Sequence, residues 1–327
     1  MTELLLDIQD LCVNFSIYEG VLKVLNNVKI KVRNGEKVGL IGEAGCGKTT
    51  TVKTIVRILP VPPAIISNGK ILFEGKDTLK MNTKDLNTIR RKEISIIFQD
   101  PIAALNPVFK VGTILGDVIK CSSLEKGEEL SKEEIKKKSI AVLKEVALPD
   151  PERLLKNYPC QLSGGMRQRV CIALALACAG KLLIADEPDT NLDVTIKDQV
   201  LRLIKNLVDE MNTSIILISH GLGAVKGLVD RVYTMYAGTI VETAPTHDLF
   251  SDPLHPYTRG LIKSVPKLTG GGIPEGIPGR LPNYINPPVG CRFAPRCERA
   301  MPICLKSSPT LVDVSNEHEV ACFLYGE

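Results

Sequence analysis

The sequence predicts an α/β fold: a phosphate-loop core with an antiparallel β flank, an inserted helical subdomain and a Cys-rich C-terminal extension. Residues 42 to 50 read Gly-Glu-Ala-Gly-Cys-Gly-Lys-Thr-Thr behind the apolar Val38, Leu40 and Ile41. Short apolar runs alternate with helical patterns on either side of that string, as a strand-helix-strand core requires. Towards the C-terminus the composition turns abruptly to Pro, Gly and then Cys.

Alternating apolar residues over Leu4 to Val13 and Val28 to Val32 predict antiparallel strands. The runs Lys37 to Ile41, Ile94 to Phe98, Leu182 to Ala185 and Ser214 to Ile218 are apolar without alternation and suit a buried parallel sheet. Helical patterns over Thr49 to Leu59 and Thr195 to Met211 supply crossovers. This organisation assigns residues 1–101 and 179–255 to the core and the almost wholly helical residues 102–178 to an inserted subdomain, leaving 256–327 as an extension. From Pro266 to Gly290, six Pro and six Gly preclude a regular helix or central strand, so the chain should run there as an extended connector. Beyond it, Cys291 to Glu327 is too short to be stable without stapling.

At 327 residues with 44% hydrophobic content, the chain can bury a sizeable core plus an appended module. Forty-one basic against 37 acidic residues leave a net charge of +4, too balanced for a nucleic-acid binder, and the absence of Trp argues against base-stacking platforms. The mixed Lys/Glu run from Glu125 to Lys138 reads as a solvated helix face. The uncharged stretch Val170 to Gly180 is about half of the roughly 20 residues that a membrane span needs. The first ten residues carry Glu3, Asp7 and Asp10, unlike an export signal. The expectation is a cytosolic chain whose ten cysteines are mostly reduced, so that a cluster among them points to metal rather than disulfides.

The chemistry starts at Gly42, Glu43, Ala44, Gly45, Cys46, Gly47, Lys48, Thr49 and Thr50. Glycines at this spacing let consecutive backbone N–H groups converge on phosphate oxygens, and the helix that follows presents its positive end to the anion. Lys48 is suited to reach the terminal phosphates and Thr49 to offer its hydroxyl to Mg2+. A nucleoside triphosphate is the ligand expected here. A second string, Lys181-Leu-Leu-Ile-Ala-Asp-Glu187, places two carboxylates at the end of an apolar strand. Asp186 suits Mg2+, through water, and Glu187 suits polarising the water that attacks the γ-phosphate. Two solvated acids at a strand end are the plain alternative, and the phosphate loop upstream weighs against it.

Leu162-Ser-Gly-Gly-Met-Arg-Gln-Arg169 resembles the signature motif of ATP-binding cassette proteins. Around it, in the family's order, stand Gln99 in Ile96-Ile-Phe-Gln-Asp-Pro101, Asn191-Leu-Asp193 and His220. The resemblance covers nearly the whole chain and implies a phosphate-loop ATPase core. It also implies a head-to-tail pair of cassettes in which Ser163, Gly164, Gly165 and Gln168 meet the ATP of the partner, with Asp193 on a loop reaching across. Gln99 would touch Mg2+ and the attacking water, and His220 would contact the γ-phosphate and steady Glu187. Adenine would stack on Phe15, with Tyr18 as fallback. Some positions depart from the family pattern. Ala44 and Cys46 stand where relatives often have Ser, and Gly221 where Asp is usual; Asp189 and Asn191 replace smaller or uncharged residues. Cys46, near Lys48 and a helix start, is expected to have thiolate character, so that alkylation blocks ATPase activity.

Phe98-Gln-Asp-Pro-Ile-Ala-Ala-Leu-Asn-Pro107 and Asp252-Pro-Leu-His-Pro-Tyr-Thr-Arg-Gly-Leu-Ile262 resemble the dipeptide and oligopeptide importer branch. His255-Pro256-Tyr257 is given a packing role. Cys291, Cys297, Cys304 and Cys322 offer four sulfur ligands that suit zinc or an iron-sulfur cluster. The spacing lacks the two-residue hooks of zinc ribbons, and importers of this branch can carry a [4Fe-4S] cluster, so iron-sulfur is the expectation and Zn2+ the alternative. The other six cysteines read as small core residues. The implied function is the ATP-hydrolysing subunit of an importer of dipeptides or oligopeptides at the cytoplasmic face of the cell membrane. Its implied partners are a second cassette subunit, two transmembrane permease subunits and an extracellular substrate-binding protein. Oligosaccharide or nickel is the alternative cargo. A soluble cassette clamp acting on ribosomes or DNA is the rival class, and its usual second cassette or coiled-coil insertion is missing from this sequence.

Overall fold

The computed structural model describes residues 3–178, 180–190, 192–265, 276–315 and 317–326, with backbone alone at 194 and 195. Contacts divide the chain into two units: unit 1 holds Met1–Arg33, Lys37–Leu79 and Ser219–Glu327, and unit 2 holds Asn34–Glu36 and Lys80–Ile218. The described strands are, in chain order, β1 (Leu4–Ile17), β2 (Gly20–Arg33), β3 (Lys37–Ile41), β4 (Ala64–Phe73), β5 (Lys76–Asp77), β6 (Ile94–Ile97), β7 (Leu182–Asp186), β8 (Ser214–Ile218), β9 (Arg231–Tyr236), β10 (Thr239–Pro245), β11 (Val312–Ser315) and β12 (His318–Val320).

In unit 1, β1 pairs antiparallel with both β2 and β4, giving the order β2-β1-β4-β5. Leu6, Ile8, Leu11 and Val13 are buried, and the switch from even to odd positions falls at a register shift between Ile8 and Leu11, where Asp10 has φ 47°. The alternation read in the sequence therefore belongs to one bulged strand. A second set of strands runs β11-β12-β10-β9-β3, with β3 parallel to β9 and the other pairs antiparallel. Strands β9 and β10 were not legible because they bury Arg231, Thr234, Glu242 and Thr243 among their apolar residues, which breaks the apolar run.

The C-terminal extension is tied into unit 1. Strand β12 pairs with β10 through Glu242↔Val320, and Phe293 joins Tyr236, Ala237, Val241 and Tyr257 in one buried cluster. The contacts thus group 256–327 with the phosphate loop and not apart from it. Part of the expected connector, 266–275, lies outside the described residues; its remainder, 276–290, carries neither helix nor strand.

In unit 2, β6, β7 and β8 form a parallel set in the order β8-β7-β6. Every residue of β7 and β8 is buried, as their unalternating apolar runs require. Between β6 and β7 the chain is helical over Pro101–Ala104, Val111–Glu125, Lys132–Glu145, Pro151–Leu154 and Gly164–Cys178. The Lys/Glu run is not one helix face. A turn with Gly127 at φ 81° interrupts it, and Ser131 and Glu134 form a capping box that starts a new helix. Among the described residues no helix is long and apolar enough to cross a membrane.

Candidate functional site

In unit 1, β3 delivers the chain into residues 42–47 and the helix Lys48–Ile55 follows at once. Glycine is required at two points. A Cβ on Gly42 would lie 2.2 Å from the Met235 carbonyl oxygen, and Gly47, at φ 110°, would press one to 2.8 Å from Leu25. Gly47 is also the N-cap and supplies no side-chain cap, so the first N–H groups of the helix keep their capacity for an anion. Lys48 Nζ donates to the carbonyls of Gly42 at 2.8 Å and Glu43 at 3.0 Å, which fixes the ammonium against the loop. Ala44 and Gly45 are exposed, and Thr49 and Thr50 are half-buried at the helix start.

Cys46 corrects an expectation. Its side chain is fully buried, and burial pushes the thiol pKa up despite Lys48, whose Nζ lies 3.9 Å from the sulfur. Desolvation disfavours the thiolate more than the nearby ammonium favours it. Cys46 is a packed thiol whose burial opposes the thiolate character expected of it.

In unit 2, β7 ends on Asp186 and the chain turns at Glu187, which takes φ 49°. A left-handed backbone at a glutamate costs energy that the surroundings must supply, and such residues cluster at functional sites. The Glu187 N–H donates to the Ile218 carbonyl at 3.0 Å. Its Oε2 accepts from Gln99 Nε2 at 2.7 Å and from Thr190 Oγ1 at 3.2 Å. Asp186 and Glu187 are both buried, at 3% and 5% exposure, while Gln99 is exposed. In unit 2 the Asp186 carboxylate and the Gln99 amide oxygen are hard oxygen donors of the type that Mg2+ takes, Gln99 spending its nitrogen, not its oxygen, on Glu187, and in unit 1 the Thr49 hydroxyl is a donor of the same type.

The signature residues Ser163 and Gly164 are exposed and Gly165 is half-exposed at the opening of the helix Gly164–Cys178. Ser163 Oγ accepts from the Met166 N–H at 3.3 Å. Gln168, on the same helix, is 1% exposed. Asp193 is the exposed N-cap of the helix Val194–Met211, and Asn191 lies outside the described residues. His220, in unit 1, is exposed just before Gly221, the N-cap of the helix Leu222–Leu228. Phe15, also in unit 1, is half-buried on β1 opposite Leu22 and Ala64, while Tyr18 is fully exposed in the following turn.

Three residues on the loop side escaped sequence reasoning. Arg296 forms an ion pair with Glu43, which holds the guanidinium pKa above its ordinary value, and Tyr257 Oη accepts from the Glu43 N–H at 2.8 Å. Tyr284 Oη donates to the Gly45 carbonyl at 2.8 Å. Only the motif that contains Tyr257 carried any signal for them. His255 caps its helix by accepting from the Tyr257 N–H through Nδ1 at 3.0 Å.

Cys291, Cys297, Cys304 and Cys322 line one small cavity with His255, Phe293 and Met301. Among the described residues, however, no three His, Cys, Asp or Glu side chains converge closely enough to hold a metal ion. Burial raises the pKa of Cys291 to about 11 and also raises those of Cys297 and Cys322, and Cys304 Sγ accepts from the Met301 N–H at 3.4 Å. The expected [4Fe-4S] or zinc ligation is therefore absent from this arrangement of the described side chains. Of the other six cysteines, Cys46 and Cys171 are buried, but Cys121 and Cys160 are exposed, contrary to a core role.

Comparison with known proteins gives the same assignment along the chain. The family described as "ABC transporter" matches residues 25–190, and the one described as "Oligopeptide/dipeptide transporter, C-terminal region" matches 241–304. The chain is 45% identical to the oligopeptide transport ATP-binding protein OppD of Bacillus subtilis (strain 168), over 98% of this chain and 88% of the relative. It is 42% identical to the dipeptide transport ATP-binding protein DppD of the same organism, over 98% and 95%. The solved dimeric, post-hydrolysis cassette MJ0796 shares the fold, with a TM-score of 0.66 at 24% identity over 74% of this chain and 98% of that one. CbiO1 from Clostridium perfringens gives 0.61 at 26% identity, over 76% and 92%. The chain belongs to the ATP-binding cassette transporter family, and within it to the group of ATPase subunits that carries the oligopeptide/dipeptide transporter C-terminal region.

Proposed function

We propose that this chain hydrolyses ATP to power uptake of dipeptides or oligopeptides through two membrane subunits. The observation that carries this reading is the joining of the branch-specific C-terminal region to the phosphate loop: Tyr257, inside the matched residues 241–304, accepts the N–H of Glu43. The phosphate loop 42–50 holds the ATP phosphates, and Thr49, Asp186 and Gln99 serve Mg2+. Glu187 polarises the attacking water, with Gln99 orienting it and His220 acting on the γ-phosphate. Phe15 carries the adenine. Ser163, Gly164, Gly165 and Gln168 serve the ATP of a second cassette subunit, the first three as an anion-binding helix start, with Asp193 beside that contact. Closure and reopening of the pair at the cytoplasmic face of the membrane would drive the two permease subunits, and an extracellular binding protein would choose the cargo. Reconstitution with the membrane subunits tests this. ATP-dependent accumulation of labelled peptides supports it; accumulation of nickel or oligosaccharide instead, or recovery on ribosomes from solubilised cells, overturns it.

We also propose that the four C-terminal thiols hold a structural metal centre, a [4Fe-4S] cluster with Zn2+ as the alternative. Their placement around one cavity supports it. Loading must draw the sulfurs together and release their protons. Anaerobic purification with visible absorption and metal analysis decides: colourless zinc-loaded protein sinks the iron-sulfur reading, and metal-free protein sinks both.

A further inference from the structure

Glu43 puts a carboxylate on a loop built for anions, and Arg296 is arranged to cancel it. Arg296 Nη1 donates to Glu43 Oε2 at 2.7 Å and Nη2 to Oε1 at 3.0 Å, a two-pronged pair. Its remaining donors are also engaged: Nε with the Pro278 carbonyl at 2.7 Å, Nη2 with that of Ile277 at 3.0 Å, and Nη1 with Tyr236 Oη at 3.4 Å. The guanidinium carbon sits 5.7 Å from the Tyr236 ring centroid, and the side chain is 5% exposed. An exposed pair of this kind is worth little, but here the guanidinium is buried while the Glu43 side chain is 29% exposed, and a fully satisfied fork holds its partner in one geometry. Tyr284 Oη fixes the Gly45 carbonyl and Tyr257 Oη the Glu43 N–H. The Glu43 carbonyl in turn holds Lys48 Nζ.

We infer that Arg296 is a positioning residue for ATP: it neutralises Glu43 and holds the phosphate loop, through Glu43, in the form that receives the nucleotide. The C-terminal extension is then part of the ATP site. Two effects follow. Losing Arg296 leaves an uncompensated carboxylate where phosphate must bind, and it releases the backbone that carries Lys48. The first effect is repaired by removing the Glu43 charge, whereas damage to packing alone would not be.

The inference rests on residues 42–50 holding the ATP phosphates, so the test includes Lys48→Ala. Mg-ATP affinity is measured by calorimetry on the full chain for wild type, Arg296→Gln, Glu43→Gln, the double variant and Lys48→Ala, with thermal unfolding alongside. Arg296→Gln is expected to weaken Mg-ATP by about tenfold or more, and adding Glu43→Gln to restore most of that loss. Arg296→Lys, which keeps the charge and loses the fork, is expected to fall between wild type and Arg296→Gln. Unchanged affinity in Arg296→Gln overturns the inference, and so does failure of Glu43→Gln to recover affinity in a folded double variant. If Arg296→Gln does not fold, Arg296→Lys takes its place, and wild-type affinity there together with no response to Glu43→Gln overturns it equally. Wild-type affinity in Lys48→Ala identifies the failure as that of the phosphate-loop reading itself.

Discussion

Gln99 Nε2 and Glu187 Oε2 are joined by a 2.7 Å hydrogen bond, and Thr190 Oγ1 donates to the same oxygen at 3.2 Å. Two donors on one carboxylate oxygen hold the group in one orientation. Glu187→Gln is expected to keep Mg-ATP binding and to lower turnover by about 100-fold or more, the range general-base loss gives. Gln99→Ala should lower turnover less, by about tenfold, since it removes an orienting contact and not the base. Steady-state ATPase rates in the assembled transporter check both; a fully active Glu187→Gln assigns the base elsewhere.

Cys46 lies buried beside Lys48 with its thiol pKa raised. Iodoacetamide at pH 8 should therefore leave it unmodified in the folded chain and label it after denaturation, while the exposed Cys121 and Cys160 react first. Peptide mass mapping reads the order. Rapid labelling of Cys46 in the native protein would restore a reactive thiol.

His255 is buried, and burial pushes its pKa down to about 4, against a smaller opposing effect of Glu242. Glu242 itself accepts the N–H groups of Leu254 and His255 and pairs with His318 Nε2. Between pH 4 and the ordinary histidine range, the unfolded chain binds a proton that the folded chain does not. The stability from neutral His255 is thus complete above about pH 6.5 and is lost as pH falls, by on the order of 2 kcal/mol near pH 4.5. Urea midpoints for wild type and His255→Asn, which keeps an N-cap acceptor, should converge as the pH is lowered. Parallel curves would remove His255 from the acid response.

Gly42→Ala should be severe for a local reason. The added Cβ meets the Met235 carbonyl oxygen at 2.2 Å, and a backbone atom cannot swing aside as a side chain can. A loss of about 2 kcal/mol or more in unfolding free energy, together with weak Mg-ATP binding, is expected. Wild-type melting and binding would show that the loop has room the contact distances deny.

The chemistry-bearing strings were legible because each is contiguous: the loop at 42–50, Asp186 and Glu187 behind β7, and Ser163 to Gly165 at a helix start. A strand end followed by carboxylates, or glycines before a helix, specifies local backbone and donors together. The same holds for the unalternating runs of β3, β7 and β8, where full burial leaves its mark on every residue. Strands β9 and β10 escaped because polar residues that the fold buries look in sequence like exposed ones.

By itself, then, the sequence determined that the chain is a cassette ATPase subunit, and it singled out Glu187 as the carboxylate proposed to act as base. Tertiary structure alone decided that Arg296 would meet Glu43 from 253 residues away and that Tyr284 would grip Gly45. It also decided that Cys46 would be sealed from solvent and that four distant cysteines would face one cavity. Those relationships depend on where the chain returns and on how much water it excludes there, quantities that local propensity and spacing do not encode.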